Sequence, residues 1–276
     1  MKSILPKPEI RSALRLKLGK IWFTLKRRSQ WHFSSTLYAT ERRLENLAHV
    51  HASHGTPMLR KLSGVEMQLQ VNKKASLTIA ASCIDGVIVE PGQTFSFWRL
   101  VGKPTSRRGF KMGLILKNGT IQQGIGGGLC QMTNMIYWMT IHTELLITER
   151  WRHGFDVFPD AGRTQPFASG ATCSHNYIDL QIFNPTQSTY QLRIWPRDDW
   201  LRGAWRCDTP QIHSFDIFER NHEIRSEYWG GYSRHNELHR KRIDVQTGIE
   251  LGEEFIAENH AILMYQPFLP SPDTTS

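Results

Sequence analysis

Apolar residues recur at helical spacing in two clear stretches of the chain. In "RSALRLKLGKIWFTLKRR", Leu14, Leu18, Ile21, Trp22 and Leu25 share one side of a 3.6-residue turn, with basic residues between them. After Cys130, the run Met132, Met135, Ile136 and Met139 repeats that interval to about Thr143, which starts a helix at or near the cysteine. Residues 35–70 also read as helical, broken at "HGTP" by Gly55 and Pro57. The period then shortens. "ASLTIAASCIDGVIVEPGQTFSFW" predicts a short helix followed by strands at Val87, Val89 and "TFSF", turning at Pro91-Gly92. "GLILK" and "TIQQG" flank Asn118-Gly119, a pair suited to a type I′ turn, and predict a hairpin that ends at three consecutive glycines.

Further strands are expected in "ELLITERWRHGFDVFP", "YIDLQIFN" and "YQLRIWP", with a loop from Pro159 to Ser169. Residues 212–265 read as more β structure with a turn at Gly230-Gly231. The fold class is therefore α+β: a helical N-terminal segment, then a β-rich domain in which a glycine-rich turn leads into a cysteine-bearing helix. The expected divisions are a basic segment over 1–34, a helical region over 35–70, the main domain over 71–266 and a disordered tail over 267–276.

Charge changes this picture at one end only. The net charge is +9, yet residues 1–30 hold nine Lys/Arg against the single Glu9, so the rest is nearly neutral. The first helix is then expected either to pack its apolar side on the body or to lie on an anionic membrane surface. No nucleic-acid-binding motif follows it, which argues against nucleic acid as a partner. No apolar run reaches the length of a membrane span, and charges between Arg11 and Arg28 interrupt any secretory leader. The expectation is a cytoplasmic protein, at most peripheral at the inner membrane face. Four cysteines, at 83, 130, 173 and 207, are too few for a disulfide scaffold, and Cys83 reads as an inert thiol among small apolar residues.

The chemistry gathers in "GIGGGLCQMTNMIYW". A helix N-terminus favours the thiolate, so Cys130 is the candidate nucleophile. Gly126, Gly127 and Gly128 are candidates for close substrate approach and, with Gln131, for holding an oxyanion. His153 is the candidate base and His175 its rival; His142 lies about 18 Å along the helix, too far to serve. Three other readings remain open: a phosphate loop, whose spacing fits neither a Walker loop nor a dinucleotide fingerprint; a merely buried Cys130; and a zinc site from Cys130, His153, Cys173 and His175, whose ligand spacing is unusual. No metal or cofactor is expected.

"PGQTFSFWRLVGKPTSRRGFKMGLILKNG", "GIGGGLCQMTNMIYWMTIHTELLITERWRHGFDVFPD" and "RTQPFASGATCSHNYIDLQIFN" together resemble the VanW family, whose namesake is an accessory protein of glycopeptide-resistance gene clusters. The resemblance covers residues 70–195 strongly and residues 35–70 and 196–266 more loosely, and leaves out the basic first 30. It implies a link to peptidoglycan and, in some members, L,D-transpeptidase activity in which the core cysteine forms an acyl-enzyme with a stem peptide. Cys130 would be that nucleophile and His153 its base. Many exported relatives have a serine after the motif histidine and an Arg-Asp pair in the next loop, where this chain has Gly154 and Arg163-Thr164. The third catalytic group would then be Asp179, with Asp156 and Asp160 as alternatives. "RTQPF" resembles the cytosolic-leaning branch. The resemblance implies a peptidoglycan peptide or precursor as partner, either as the substrate of an acyltransferase or as the ligand of a non-catalytic binding protein.

Overall fold

The computed structural model describes residues 7, 9, 12–59, 66–117, 119–157 and 164–267. Asn118, Asp160 and the tail from residue 268 lie outside them.

The chain runs α1 (Ala13–Phe33), β1 (Leu37–Tyr38), β2 (His49–Pro57), α2 (Met67–Ile84), β3 (Val87–Val89), β4 (Gln93–Ser96), α3 (Phe97–Val101), β5 (Met112–Lys117), β6 (Thr120–Ile125) and α4 (Cys130–Thr140). It continues through β7 (Leu146–Glu149), β8 (Phe155–Asp156), β9 (Gln181–Phe183), β10 (Tyr190–Arg197), β11 (Trp200–Cys207), β12 (His213–Ser226), β13 (Tyr232–Asp244) and β14 (Glu250–Leu263). The class is α+β, with an N-terminal helix ahead of a β-rich body.

One expectation fails outright. Residues 49–57, read as helical, form β2, which pairs antiparallel with β11 from Pro57 opposite Trp200 to His49 opposite Cys207. Gly55 and Pro57 sit within that strand. Pairing with a partner about 150 residues away overrides local propensity, and no local spacing announces it. The helix that does form nearby, α2, begins only at Met67 and runs to Ile84.

Two four-stranded sheets, in the orders β1-β4-β9-β7 and β2-β11-β10-β3, frame the core. Helix α4 lies between them and contacts β2, β11 and β7. Met132, Met135, Ile136 and Met139 are buried as their spacing predicts, and so are Thr133, Tyr137 and Thr140 on its other sides. The Trp205 indole on β11, fully enclosed, donates to Thr140 Oγ1 at 2.9 Å. A helix enclosed on nearly every side is a rigid mount for whatever its first residue carries.

A third sheet, β12-β13-β14-β8, is mostly the long C-terminal meander. Its core is thin, with Phe215, Leu238, Ala261 and Leu263 buried, and its strands are laced by ion pairs such as Arg240–Glu254 at 2.7 Å and Lys241–Glu250 at 2.8 Å. The expected turn at Gly230-Gly231 closes its first hairpin, with both glycines at positive φ.

Candidate functional site

Three elements converge on Cys130. The first is the β5–β6 hairpin, whose end delivers the chain into α4. Here the glycines do something other than the sequence suggests. Gly126 and Gly128 have φ of 74° and 89°, and a side chain on Gly127 would meet the backbone of Gly113 at 2.2 Å. The space that the glycines leave is therefore filled by the chain itself, by β5 at Gly113, by Pro104 and by Lys73. They allow a tight turn against the hairpin rather than a substrate's approach.

Most of the expected oxyanion donors are also occupied. The amide of Gly126 donates to Lys111 O, that of Gly127 to Gly124 O and that of Gln131 to Gly128 O. The Gln131 side chain donates to Thr56 Oγ1 and Pro57 O, which ties α4 to β2. Among the described residues, the amides of Gly128, Leu129 and Cys130 have no hydrogen-bond partner. They are orphan donors of the kind that every helix start leaves.

The second and third elements are the segments Trp151–His153 and Gly170–Cys173, bridged as a short antiparallel pair at Trp151 and Thr172. Side chains of α4 fix the second of them. Thr133 Oγ1 donates to Ala171 O at 2.6 Å, and Asn134 Oδ1 accepts from the Ala171 amide at 2.8 Å. Arg150 holds the same segment through Gly170 O and Ala168 O. Thr172 is thereby held over the start of the helix that carries Cys130.

The result is a connected line of polar atoms. Half-buried Cys130 places its Sγ 3.3 Å from Thr172 Oγ1, which lies 2.9 Å from His153 Nε2. The Cys173 thiol donates to Cys130 Sγ at 3.9 Å, and the Cys173 amide donates to it at 3.5 Å. These groups hold the Cys130 thiol well below its ordinary range: first the hydrogen bond from Cys173, then the hydrogen bond and charge of His153, then Thr172, all against the opposing cost of burial. Cys173 moves the other way, raised well above its ordinary range by burial and by the neighbouring thiolate. The same contacts thus push the two thiols in opposite directions.

His175 does not join this line. Its ring packs edge-on to Trp98 at 5.3 Å, and burial together with the cations Lys103, Arg28, Lys20 and Arg108 lowers it to about 4. Asp179 does not orient His153 either. It is fully enclosed, and its carboxylate accepts from Ser96 Oγ at 2.5 Å, from the Trp98 and Leu180 amides at 2.9 Å each, and from Gln181 Nε2. Its role is to fasten β4 and α3 to β9, and burial pushes its carboxyl up to about 7 despite those donors. The alternative Asp156 is buried at β8, where Tyr265 donates to its carboxylate at 3.4 Å. Thr172 and the Cys173 thiol are the residues that sequence reasoning missed. Their only signal is their position in "GATCSH", whose cysteine reads from sequence only as a metal-ligand candidate.

The family described as VanW like protein matches residues 72–206, which contain every member of the Cys130–Thr172–His153 line. The chain is similar to Vancomycin B-type resistance protein VanW of Enterococcus faecalis, 31% identical over 203 residues that cover 74% of each chain. It is also similar to the uncharacterized protein YoaR of Bacillus subtilis, 32% identical over 82 residues, 30% of this chain and 27% of the relative. No solved structure matches. Among the described residues, no helix is long and apolar enough to cross a membrane.

Proposed function

This chain belongs to the VanW family, and from that premise we propose that it is a cysteine acyltransferase of the L,D-transpeptidase type, acting on peptidoglycan stem peptides or their precursors in association with glycopeptide resistance. The observation that carries the reading is the sulfur at the first residue of an enclosed helix, joined through one hydroxyl to an imidazole.

The reaction starts from the Cys130 thiolate with the proton on His153. The sulfur attacks the carbonyl carbon of the acyl donor, an S–C bond forms, and the carbonyl π pair moves onto oxygen. The unpaired amides of Gly128, Leu129 and Cys130 are the donors that would receive that oxyanion, with the helix dipole behind them. As the tetrahedral adduct collapses, the C–N bond breaks and the leaving amine takes the proton from His153. Thr172 passes it on by giving its own hydroxyl hydrogen and receiving another from the imidazole. The thioester is then opened by an acceptor amine or by water. His153 takes that nucleophile's proton through Thr172, and the thiolate departs unchanged.

Incubation with a stem tetrapeptide followed by intact-mass measurement tests the reading. An adduct equal to the acyl fragment is expected on the wild-type chain and is absent from Cys130→Ala. Peptide binding without any adduct would leave the non-catalytic binding protein in its place, and turnover retained in both Cys130→Ala and Cys130→Ser would remove Cys130 as the nucleophile.

A further inference from the structure

Helix α1 lies outside the line of Cys130, Thr172 and His153, and its two sides differ. The inner side is locked to the body. Arg27, 7% exposed, reaches Glu149 at 2.5 Å and Tyr177 O at 3.4 Å, and Phe23 stacks on the Tyr177 ring at 6.4 Å. Trp31 packs against the core near the helix end. Glu149 lies just before the segment that carries His153, and Tyr177 lies just after the one that carries Cys173.

The outer side is exposed among the described residues. Counted at about 100° per residue, Leu14, Leu18, Ile21, Trp22 and Leu25 fall within an arc of about 100° that points away from Arg27. All five are exposed, Trp22 by 65%, and an apolar groove runs along Leu14, Leu18 and Trp22. The same count sets Lys17 and Arg28 along one edge of the stripe and Arg15 and Lys26 along the other. Among the described residues, none of these four cations has an acidic partner, and the first turn of the helix holds no acidic residue.

We infer that the outer face of α1 is a docking surface for an anionic lipid bilayer, on which the helix lies flat. An apolar stripe with cations along both edges suits such an interface: Trp and Leu side chains enter the boundary between headgroups and acyl chains, and lysines and arginines on long stems reach the phosphates. The symmetry of the edges favours a planar anionic surface over an RNA strand, which would follow a single basic track. Because the inner side grips Glu149 and Tyr177, docking holds the Cys130 site beside the membrane. The inference does not depend on acyl transfer by Cys130.

The test is flotation of the full chain with vesicles of phosphatidylcholine alone or with about a third phosphatidylglycerol. Binding is expected to be about ten-fold tighter or more on the anionic vesicles and to weaken as salt rises. The double variant Leu18→Asp/Trp22→Asp is expected to lose about ten-fold or more of that binding, whereas Leu251→Asp, at another exposed leucine, keeps it. Matched melting curves confirm that the variants fold. Cys130→Ala is expected to bind as the wild type does, so failure here and failure of the acyl-transfer reading are separable. No flotation, equal binding to both vesicle types, full retention in the double variant, or tighter binding to an oligonucleotide than to the anionic vesicles would overturn the inference.

Discussion

Helices α1 and α4 are written in the same periodic code and end up in opposite surroundings. Both repeat apolar residues at three- and four-residue intervals. The stripe of α4 is sealed between two sheets, while the stripe of α1 faces outward with leucines exposed by 57–67% at positions 14, 18 and 25. Periodicity therefore says which side of a helix is apolar but not what that side meets. What separates them is the rest of each helix. In α4 the sides between the stripe carry Thr133, Tyr137 and Thr140, which also bury, whereas in α1 they carry lysines and arginines. The enclosed helix can hold a reactive atom in place, and the exposed one can offer a surface.

The sharpest way to break this contrast is at the first residue of α4. Cys130→Ala is expected to lower acyl-transfer turnover by at least about a thousand-fold. Leu14→Ala, near the start of α1, should leave it unchanged; comparable losses in both would mean that α4 is not the reactive helix. Next in size is packing. Ile136→Ala in α4 is expected to cost about 2–5 kcal/mol in urea unfolding, because a cavity opens where no exposure existed.

Burial raises the Asp179 carboxyl to about 7, and the Arg27 charge of α1 is among the groups that hold it down. In the unfolded chain this group ionises near an ordinary carboxylate value, so from there up to about 7 the folded state binds the extra proton. Its contribution to stability is thus complete at the acid end of that window and declines as pH rises through it. Asp179→Asn should flatten the decline by up to a few kcal/mol, as read from urea midpoints across pH. An unchanged pH dependence would remove Asp179 as its source.

Thr172→Val, which keeps shape and deletes the hydroxyl, is expected to slow alkylation of Cys130 at pH 6 by about 10–100-fold. The smallest effect belongs to α1, where Leu18→Ala should shift stability by about 0.5 kcal/mol or less. A loss near that of Ile136→Ala would show that the outer stripe is covered after all.

Much of the fold was legible because its signals are local. The β5–β6 hairpin follows from alternation around Asn118-Gly119, α4 from its methionine spacing, and the β12–β13 turn from Gly230-Gly231. Strand β2 was not legible, since "HVHASHGTP" is ordered by β11 and only a partner so remote could tell it from a broken helix. In the site, Cys130 and His153 stood out by residue type and by resemblance, and the structure brings them to either side of Thr172. Thr172 itself carries no pattern: its place depends on Thr133 and Asn134 fixing the backbone of Ala171. Asp179 misled for the same reason. The resemblance points to an aspartate as third group, and only the fold shows the Trp98 amide and the Ser96 hydroxyl already on Asp179. Three consecutive glycines point to close approach, and only the structure reveals that Gly113, rather than a substrate, makes it.

The most direct test of the account is the pH profile of alkylation at each cysteine, read by peptide mass spectrometry on the folded, reduced chain. Cys130 should already react fast at pH 6, because its lowered range keeps the thiolate as pH falls. Cys207, raised by burial, should react only in alkali. His153→Ala and Thr172→Val should each move the Cys130 profile toward alkali. A Cys130 that ionises in the ordinary thiol range, or one indifferent to both substitutions, would contradict the claim that this helix start holds an ionised sulfur.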